Sequence, residues 1–220
     1  MTRRCSFTVA VTLVFLWSPI VSAESRELTA TLTNAGVIAA GANASTSTSS
    51  GTARFLLTWD PADRANAMMS YELKLDADLD GSQTPDLNDD VTAIHFHDIN
   101  VCVAEGCLPG DTAGTLHVLN TFGVPRNDDA DMQFFPSTGE VTGLWDASDA
   151  NNLTPAPSVA PGDVLDQILN GETFVMVHTR EFPGGAFGGV IVPEPTSYSL
   201  MLLGLAGGIA TRRISRRRRS

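Results

Sequence analysis

Residues 71–75, Tyr-Glu-Leu-Lys-Leu, alternate apolar and charged side chains. Successive side chains of an extended chain point to opposite faces, so this pattern predicts a β-strand with one buried and one exposed face. Residues 28–32 and 55–59 repeat the alternation. Further strands are predicted over residues 91–98, 115–120, 172–180 and 188–192. Short strands separated by turn residues favour an all-β fold, a sandwich or a barrel.

One short helix is predicted within this β-rich chain. Asp163 is placed to cap its first turn, Leu165 and Ile168 lie on one apolar face, and Gly171 is placed to end it. The predicted fold is therefore all-β with a single short helix.

The body of the chain is strongly acidic. Residues 24–192 contain 24 acidic and six basic residues, which gives a net charge near −18. Such a surface lacks the basic patch that nucleic-acid binding requires, so we expect no nucleic-acid partner. Small cations are the natural partners of this body.

The amino-terminal segment, residues 1–23, has the features of a secretory signal peptide. Arg3 and Arg4 precede an apolar stretch over residues 7–20, and Val-Ser-Ala at 21–23 is a small-residue cleavage site. We expect export through the Sec pathway. A first transmembrane helix is the alternative, but the apolar stretch is short for a bilayer.

The carboxyl-terminal segment, residues 193–220, carries three features in order. Pro193-Glu194-Pro195 comes first, an apolar stretch rich in Leu and Gly follows, and an arginine cluster ends the chain. Arginines next to an apolar stretch stay on the cytoplasmic side of the inner membrane. The tail is thus expected to hold the protein at the inner membrane with its body on the periplasmic side. A plain membrane anchor is the alternative to a sorting signal.

Two cysteines fall in the body, Cys102 and Cys107. A pair of cysteines in an exported domain predicts a disulfide. The alternative is a Cys-x₄-Cys metal site completed by the nearby His95 and His97.

All four histidines of the chain lie in or beside predicted strands. His95 and His97 are two residues apart in a strand, so their imidazoles share one face. His178 is a candidate third ligand and His117 a candidate fourth for a copper or zinc ion, because imidazole suits both metals. The alternative is that these histidines only make local hydrogen bonds.

Asp76, Asp78 and Asp80 open a stretch that ends in Gly81, as in the first half of an EF-hand calcium loop. The twelfth position is Leu87 instead of a bidentate Glu, so a true EF-hand is not expected. The residues predict either a looser calcium (Ca²⁺) site or a solvated acidic loop.

The tail resembles the PEP-CTERM sorting signal of Gram-negative bacteria, on the motifs given above. The body, in the order of its strands, resembles the CHRD (chordin-type) domain. The most specific parts of that resemblance are Ile94-His-Phe-His97 and Val177-His-Thr179. The predicted domains are thus a signal peptide (1–23), a CHRD domain (24–192) and a sorting tail (193–220).

The CHRD resemblance implies an immunoglobulin-like β-sandwich or barrel similar to Cu/Zn superoxide dismutase. It also implies that His95 and His97 match the paired copper ligands of the dismutase and that His178 is a candidate for a later one. Ala186 and Gly188 stand where the family usually has an acid and an arginine, so that ion pair is missing. Four histidines do not suffice for a two-metal dismutase site, so a single copper or zinc ion is the most that they allow.

The sorting resemblance implies processing by exosortase and delivery to the cell surface or the extracellular matrix of a biofilm. The function predicted first is a non-catalytic binding or structural module, with exopolysaccharide as a further candidate partner. The alternative is a copper or zinc protein with superoxide-dismutase-like chemistry.

Overall fold

The computed structural model describes residues 23–39, 45–77, 90–105, 114–121, 129–150 and 158–194. Within these ranges the chain forms two antiparallel sheets, one of six strands and one of four. The predicted all-β fold is confirmed.

The six-stranded sheet is built mainly from long hairpins. Its strands are β1 (Glu24–Leu32), β2 (Ser50–Asp60), β3 (Asp63–Asp76), β6 (Gln133–Phe135), β7 (Glu140–Trp145) and β10 (Val192–Pro193). Their order across the sheet is β10-β1-β2-β3-β7-β6. The alternation at 71–75 has its predicted consequence, since Tyr71, Leu73 and Leu75 are buried.

The four-stranded sheet carries all four histidines. Its strands are β4 (Val91–Asp98), β5 (Thr115–Thr121), β8 (Thr173–Thr179) and β9 (Phe187–Val190). Their order is β5-β4-β8-β9. Strand β8 is buried along its whole length, as expected for an inner strand whose two faces are both covered.

The main core lies between the two sheets. The ring of Phe96 on β4 makes edge contacts with Phe55 and Tyr71 of the opposite sheet, each with ring centroids 5.8 Å apart. Trp145 closes one side of this aromatic cluster and is fully buried. The inward face of β4 is thus committed to the core, and its other face is available for different chemistry.

Three short α-helices are present among the described residues, where one was predicted. They are α1 (Asn34–Ala39), α2 (Ile99–Glu105) and α3 (Leu165–Asn170). Helix α3 is the predicted one, and Gly171 ends it with a left-handed backbone at φ 72°. Asp163 does not cap it, because a 3₁₀ turn over Pro161–Val164 already begins the helical segment.

Two strands and two helices were not predicted from the sequence. Strands β6 and β7 span three and six residues, and helices α1 and α2 span six and seven. Strand β6 and the two helices complete too few periods to be recognised from an apolar pattern. In β7, Gly143 and Leu144 interrupt the alternation of apolar and polar residues.

No helix among the described residues is long and apolar enough to span a bilayer. The signal segment before Ala23 and the tail after Glu194 lie outside the described ranges. Their assignments rest on the sequence.

Candidate metal centre

His95 and His97 project from β4 on the face that points away from the main core. Between them, Phe96 enters the core, so the spacing of two places both imidazoles on the outer face, as the sequence predicts. Their ring centroids lie 5.6 Å apart. His97 is buried, whereas His95 is half-buried.

His178 joins this pair from the neighbouring strand. Strand β8 pairs with β4 so that His178 is opposite Ala93, which brings its ring to 4.8 Å from that of His95. His95, His97 and His178 each offer a ring nitrogen, and these three atoms lie within 4.8 Å of one another. We call these three residues the histidine cluster.

The orientation of His178 is fixed by a backbone carbonyl. Its Nδ1 lies 2.9 Å from the oxygen of Pro183, in the turn that joins β8 to β9. A carbonyl only accepts, so Nδ1 carries the proton and donates it. Nε2 of His178 is then a bare lone pair, and it is buried without a hydrogen-bond partner among the described residues.

Burial keeps His178 neutral. The pKa of the His178 imidazole is lowered because burial penalises the charged form, and the hydrogen bond to Pro183 opposes this only in part. A neutral imidazole with a free lone pair is the form that binds a metal ion.

His97 is held by contacts on both of its sides. Its ring stacks on Phe174 at 5.3 Å between centroids. Its Nδ1 lies 3.9 Å from the sulfur of Cys102 in helix α2. These contacts restrict the rotation of the imidazole in the absence of any metal.

The outer face of the four-stranded sheet is partly covered by helices. Val37 of α1 and Cys102 of α2 pack with Phe174 and Met176 to form a small apolar cluster next to the histidines. This apolar cluster contacts His97 through Phe174 and Cys102. His97 and His178 are buried, and His95 is the most accessible of the three. An ion would therefore enter from the His95 side.

The ligand set has a clear chemical preference. Imidazole nitrogens suit copper, zinc and nickel, whereas calcium and magnesium prefer oxygen. No carboxylate belongs to this cluster in the described part of the chain. The arrangement thus disfavours a hard cation.

His117 does not belong to the histidine cluster. It lies on β5 opposite Phe96, and its ring contacts both Phe96 and Trp145 in the core. It projects from the opposite face of the sheet, so the sequence-based suggestion of a fourth ligand has no geometric support. Strand spacing alone did not reveal this, because β4 and β5 pair with two irregularities in register.

A buried network of polar side chains surrounds His117 instead. His117 Nδ1 lies 3.3 Å from Ser158 Oγ, and His117 Nε2 lies 3.2 Å from Asp129 Oδ2. The hydroxyl of Tyr71 donates to the same carboxylate oxygen at 2.7 Å. Sequence reasoning missed Asp129, Ser158 and Tyr71, since no spacing links residues so far apart in the chain.

Hydrogen bonds within this network stabilise the charged form of the Asp129 carboxylate. Burial alone would raise the pKa of Asp129, but the hydrogen bonds from His117 and Tyr71 outweigh it and lower the pKa below its ordinary value. Burial and the Asp129 carboxylate raise the pKa of Tyr71, which stays protonated.

The histidine cluster and the His117 network therefore differ in whether their ring nitrogens are available to a metal ion. His117, Asp129 and Asp149 also present ligand atoms within 4.8 Å of one another. Both ring nitrogens of His117 are already engaged by protein partners. We interpret this network as structural, and the histidine cluster remains the candidate metal centre.

The other predicted sites lie largely outside the described ranges. Asp76 is the last residue of β3 and is exposed, but Asp78 and Asp80 are not described. Cys102 is buried in α2, whereas Cys107 is not described. The calcium site and the Cys102–Cys107 disulfide stay predictions.

Comparison with protein families agrees with the predicted CHRD domain and with the predicted sorting tail. A family model of the CHRD domain matches residues 28–191. A second family model, the PEP-CTERM protein-sorting motif, matches residues 192–219. No curated protein and no solved structure matches the chain.

The chain belongs to the CHRD domain family, since the match covers most of its length. The sorting motif identifies it as a secreted protein of a Gram-negative bacterium that is held at the membrane until exosortase cleaves it.

Proposed function

We propose that this protein is a non-catalytic, exported CHRD module that binds one copper or zinc ion through His95, His97 and His178. A single observation carries the proposal: three imidazole nitrogens from two paired strands lie within 4.8 Å of one another. A histidine pair that serves only local hydrogen bonding has no need of a third ring at this distance.

The distances between the three ring nitrogens, at most 4.8 Å, can be compared with those in a metal site. Zn–N bonds of about 2.0–2.1 Å at tetrahedral angles place ligand nitrogens roughly 3.3 Å apart. The nitrogens must therefore approach one another by up to about 1.5 Å when an ion binds. Phe174 and Pro183 already restrict two of the rings, so little conformational freedom is left to lose on binding.

The compartment and the charge of the body favour the same function. The acidic body attracts cations from solution. We infer that the tail anchors the protein in the inner membrane, with the body on the periplasmic side, until exosortase releases it. The final location is the cell surface or the biofilm matrix, where exopolysaccharide is the candidate partner.

The test is a metal titration of the folded body, residues 24–194, with Cu²⁺, Zn²⁺ and Ca²⁺. We expect one ion of copper or zinc per chain, with copper bound more tightly, as the general order of divalent affinities requires. His95→Asn removes the most accessible ligand and should abolish this binding while the fold is retained. Unchanged binding by His95→Asn would overturn the proposal.

His117→Asn is the matched control, because it removes the one histidine outside the cluster. It should lower the stability of the fold and leave the metal stoichiometry unchanged. Calcium bound alone, and lost in Asp78→Ala, would instead favour the acidic loop as the binding site.

A second function, superoxide-dismutase-like chemistry at a single copper ion, is favoured by one observation. His95 is half-exposed while the other two ligands are buried, which leaves a side of the site open to a small solute. A copper-loaded body that removes superoxide faster than the same amount of His95→Asn protein with copper would support this function. Equal rates would exclude it.

A further inference from the structure

The sorting motif and the folded domain share residues. The family match for the motif begins at residue 192, yet Val192 and Pro193 form strand β10 at the edge of the six-stranded sheet. The first Pro and the Glu of Pro-Glu-Pro therefore belong to the domain and to the signal at once. We call residues 192–194 the edge segment.

The edge segment is attached to β1 by a short antiparallel ladder. Leu28 is opposite Pro193, and Thr29 is opposite Val192. The next pair along is Glu27 and Glu194, where the amide of Glu194 donates to the carbonyl of Glu27 at 3.1 Å. Because hydrogen-bonded and non-hydrogen-bonded pairs alternate in such a ladder, Thr29 and Val192 form the other hydrogen-bonded pair.

Pro193 occupies the position of the edge segment at which a proline removes no hydrogen bond between the two strands. It has no N–H to donate, and its pair with Leu28 is the non-hydrogen-bonded one. The sequence of the signal is thus compatible with pairing to β1.

The edge segment itself is weakly attached to the domain, whereas the residue before it is held firmly. Val192 and Glu194 are exposed, so the segment buries little apolar surface. Ile191, directly before it, is fully buried and its amide bonds the carbonyl of Thr173 at 2.9 Å. The chain can therefore detach as far as Ile191 while the core stays intact.

We propose that exosortase processes this protein from a state in which the edge segment has left β1. A protease-like enzyme takes its substrate as an extended chain with free backbone groups, and β1 occupies those groups at Val192 and Glu194. Each hydrogen bond lost on release lowers the released population by roughly a few-fold to tenfold. Pairing to β1 and processing thus compete for the same residues.

The test locks the segment with a disulfide in the full chain. Thr29→Cys with Val192→Cys joins a hydrogen-bonded pair whose Cα atoms lie about 5.5 Å apart, a separation that a disulfide spans. Neither residue is part of Pro-Glu-Pro. In a Gram-negative host that carries exosortase, we expect the processed fraction to fall at least about tenfold relative to either single-cysteine variant. Formation of the bridge is checked by the mass of the alkylated chain.

A second disulfide separates locking from the general effects of a cross-link. Thr31→Cys with Thr52→Cys ties β1 to β2, on the other side of the strand, and should leave processing unchanged. Processing of the Thr29–Val192 cross-linked chain at the rate of its single-cysteine parents would overturn the proposal.

Hydrogen exchange provides a measurement that needs no variant. In the full chain, the amide of Glu194 should exchange at least about tenfold faster than that of Ile191, because the segment opens separately from the core. Equal protection of the two amides would contradict a releasable edge.

Discussion

Nδ1 of His178 lies 2.9 Å from the carbonyl oxygen of Pro183, five residues further along the chain. This contact decides which ring nitrogen carries the proton and leaves Nε2 with a lone pair that has no hydrogen-bond partner among the described residues. The turn after β8 therefore supports the proposed metal ligand from outside, a role that carbonyls commonly have behind metal-binding histidines.

The lowered pKa of His178 makes the stability of the protein depend on pH. The unfolded chain takes up a proton near pH 6.5, whereas the buried folded imidazole resists it. Stability from this group is thus complete above about pH 6.5 and falls by up to about 1.4 kcal/mol per pH unit below it. Urea unfolding between pH 5 and 8 checks this. His178→Gln should flatten the profile over this range, and an unchanged slope would contradict the account.

The hydroxyl of Tyr71 supports the buried Asp129 carboxylate, at 2.7 Å. Tyr71→Phe removes a hydrogen bond to a charged group and should cost about 1.5–3 kcal/mol of unfolding free energy. The pKa of Asp129 should rise at the same time, because one of the bonds that lowers it is gone. Ser70→Ala, at an exposed neighbouring position, is the control. A loss as small as that of the control would show that the network does not stabilise the fold.

Gly36 allows helix α1 to lie against β9. A Cβ at this position would lie 2.0 Å from the carbonyl oxygen of Gly188, so Gly36→Ala forces the helix outward. We expect a loss of about 1–3 kcal/mol in thermal or urea unfolding and weaker metal binding, because α1 helps to cover the histidine cluster. Ala35→Ser, at an exposed position of the same helix, should change neither. Full stability of Gly36→Ala would mean that α1 is not packed as described.

The predicted Cys102–Cys107 disulfide is tested by mass spectrometry after alkylation with and without reductant. A bridge that closes so short a loop should contribute about 2 kcal/mol. Reduction should therefore lower the unfolding free energy by this amount. Two freely alkylated thiols in the oxidised, exported protein would refute the pairing.

The sequence predicted the strands more completely than the site. Alternation at 71–75 and the run at 173–179 identified β3 and β8. A strand with one buried face alternates apolar and polar residues, and a strand with two buried faces is mostly apolar. The two-residue spacing placed His95 and His97 on one face for the same reason. Neither pattern carries information on which strands pair.

The pairing of strands is what assembles the candidate site. His178 lies beside His95 because β8 pairs with β4 in one register, and His117 is on the other face because β5 pairs with two irregularities. Asp129 and Ser158 reach His117 from distant parts of the chain. Such contacts depend on tertiary structure, and one sequence does not encode them in any local pattern.

X-ray absorption of the body loaded with one equivalent of copper or zinc identifies the atoms that bind the ion. We expect three imidazole nitrogens at about 2.0 Å from the metal, the same spectrum in His117→Asn, and loss of the bound metal in His95→Asn. A first shell of oxygen or sulfur, or a spectrum unchanged by His95→Asn, would contradict a metal centre at His95, His97 and His178.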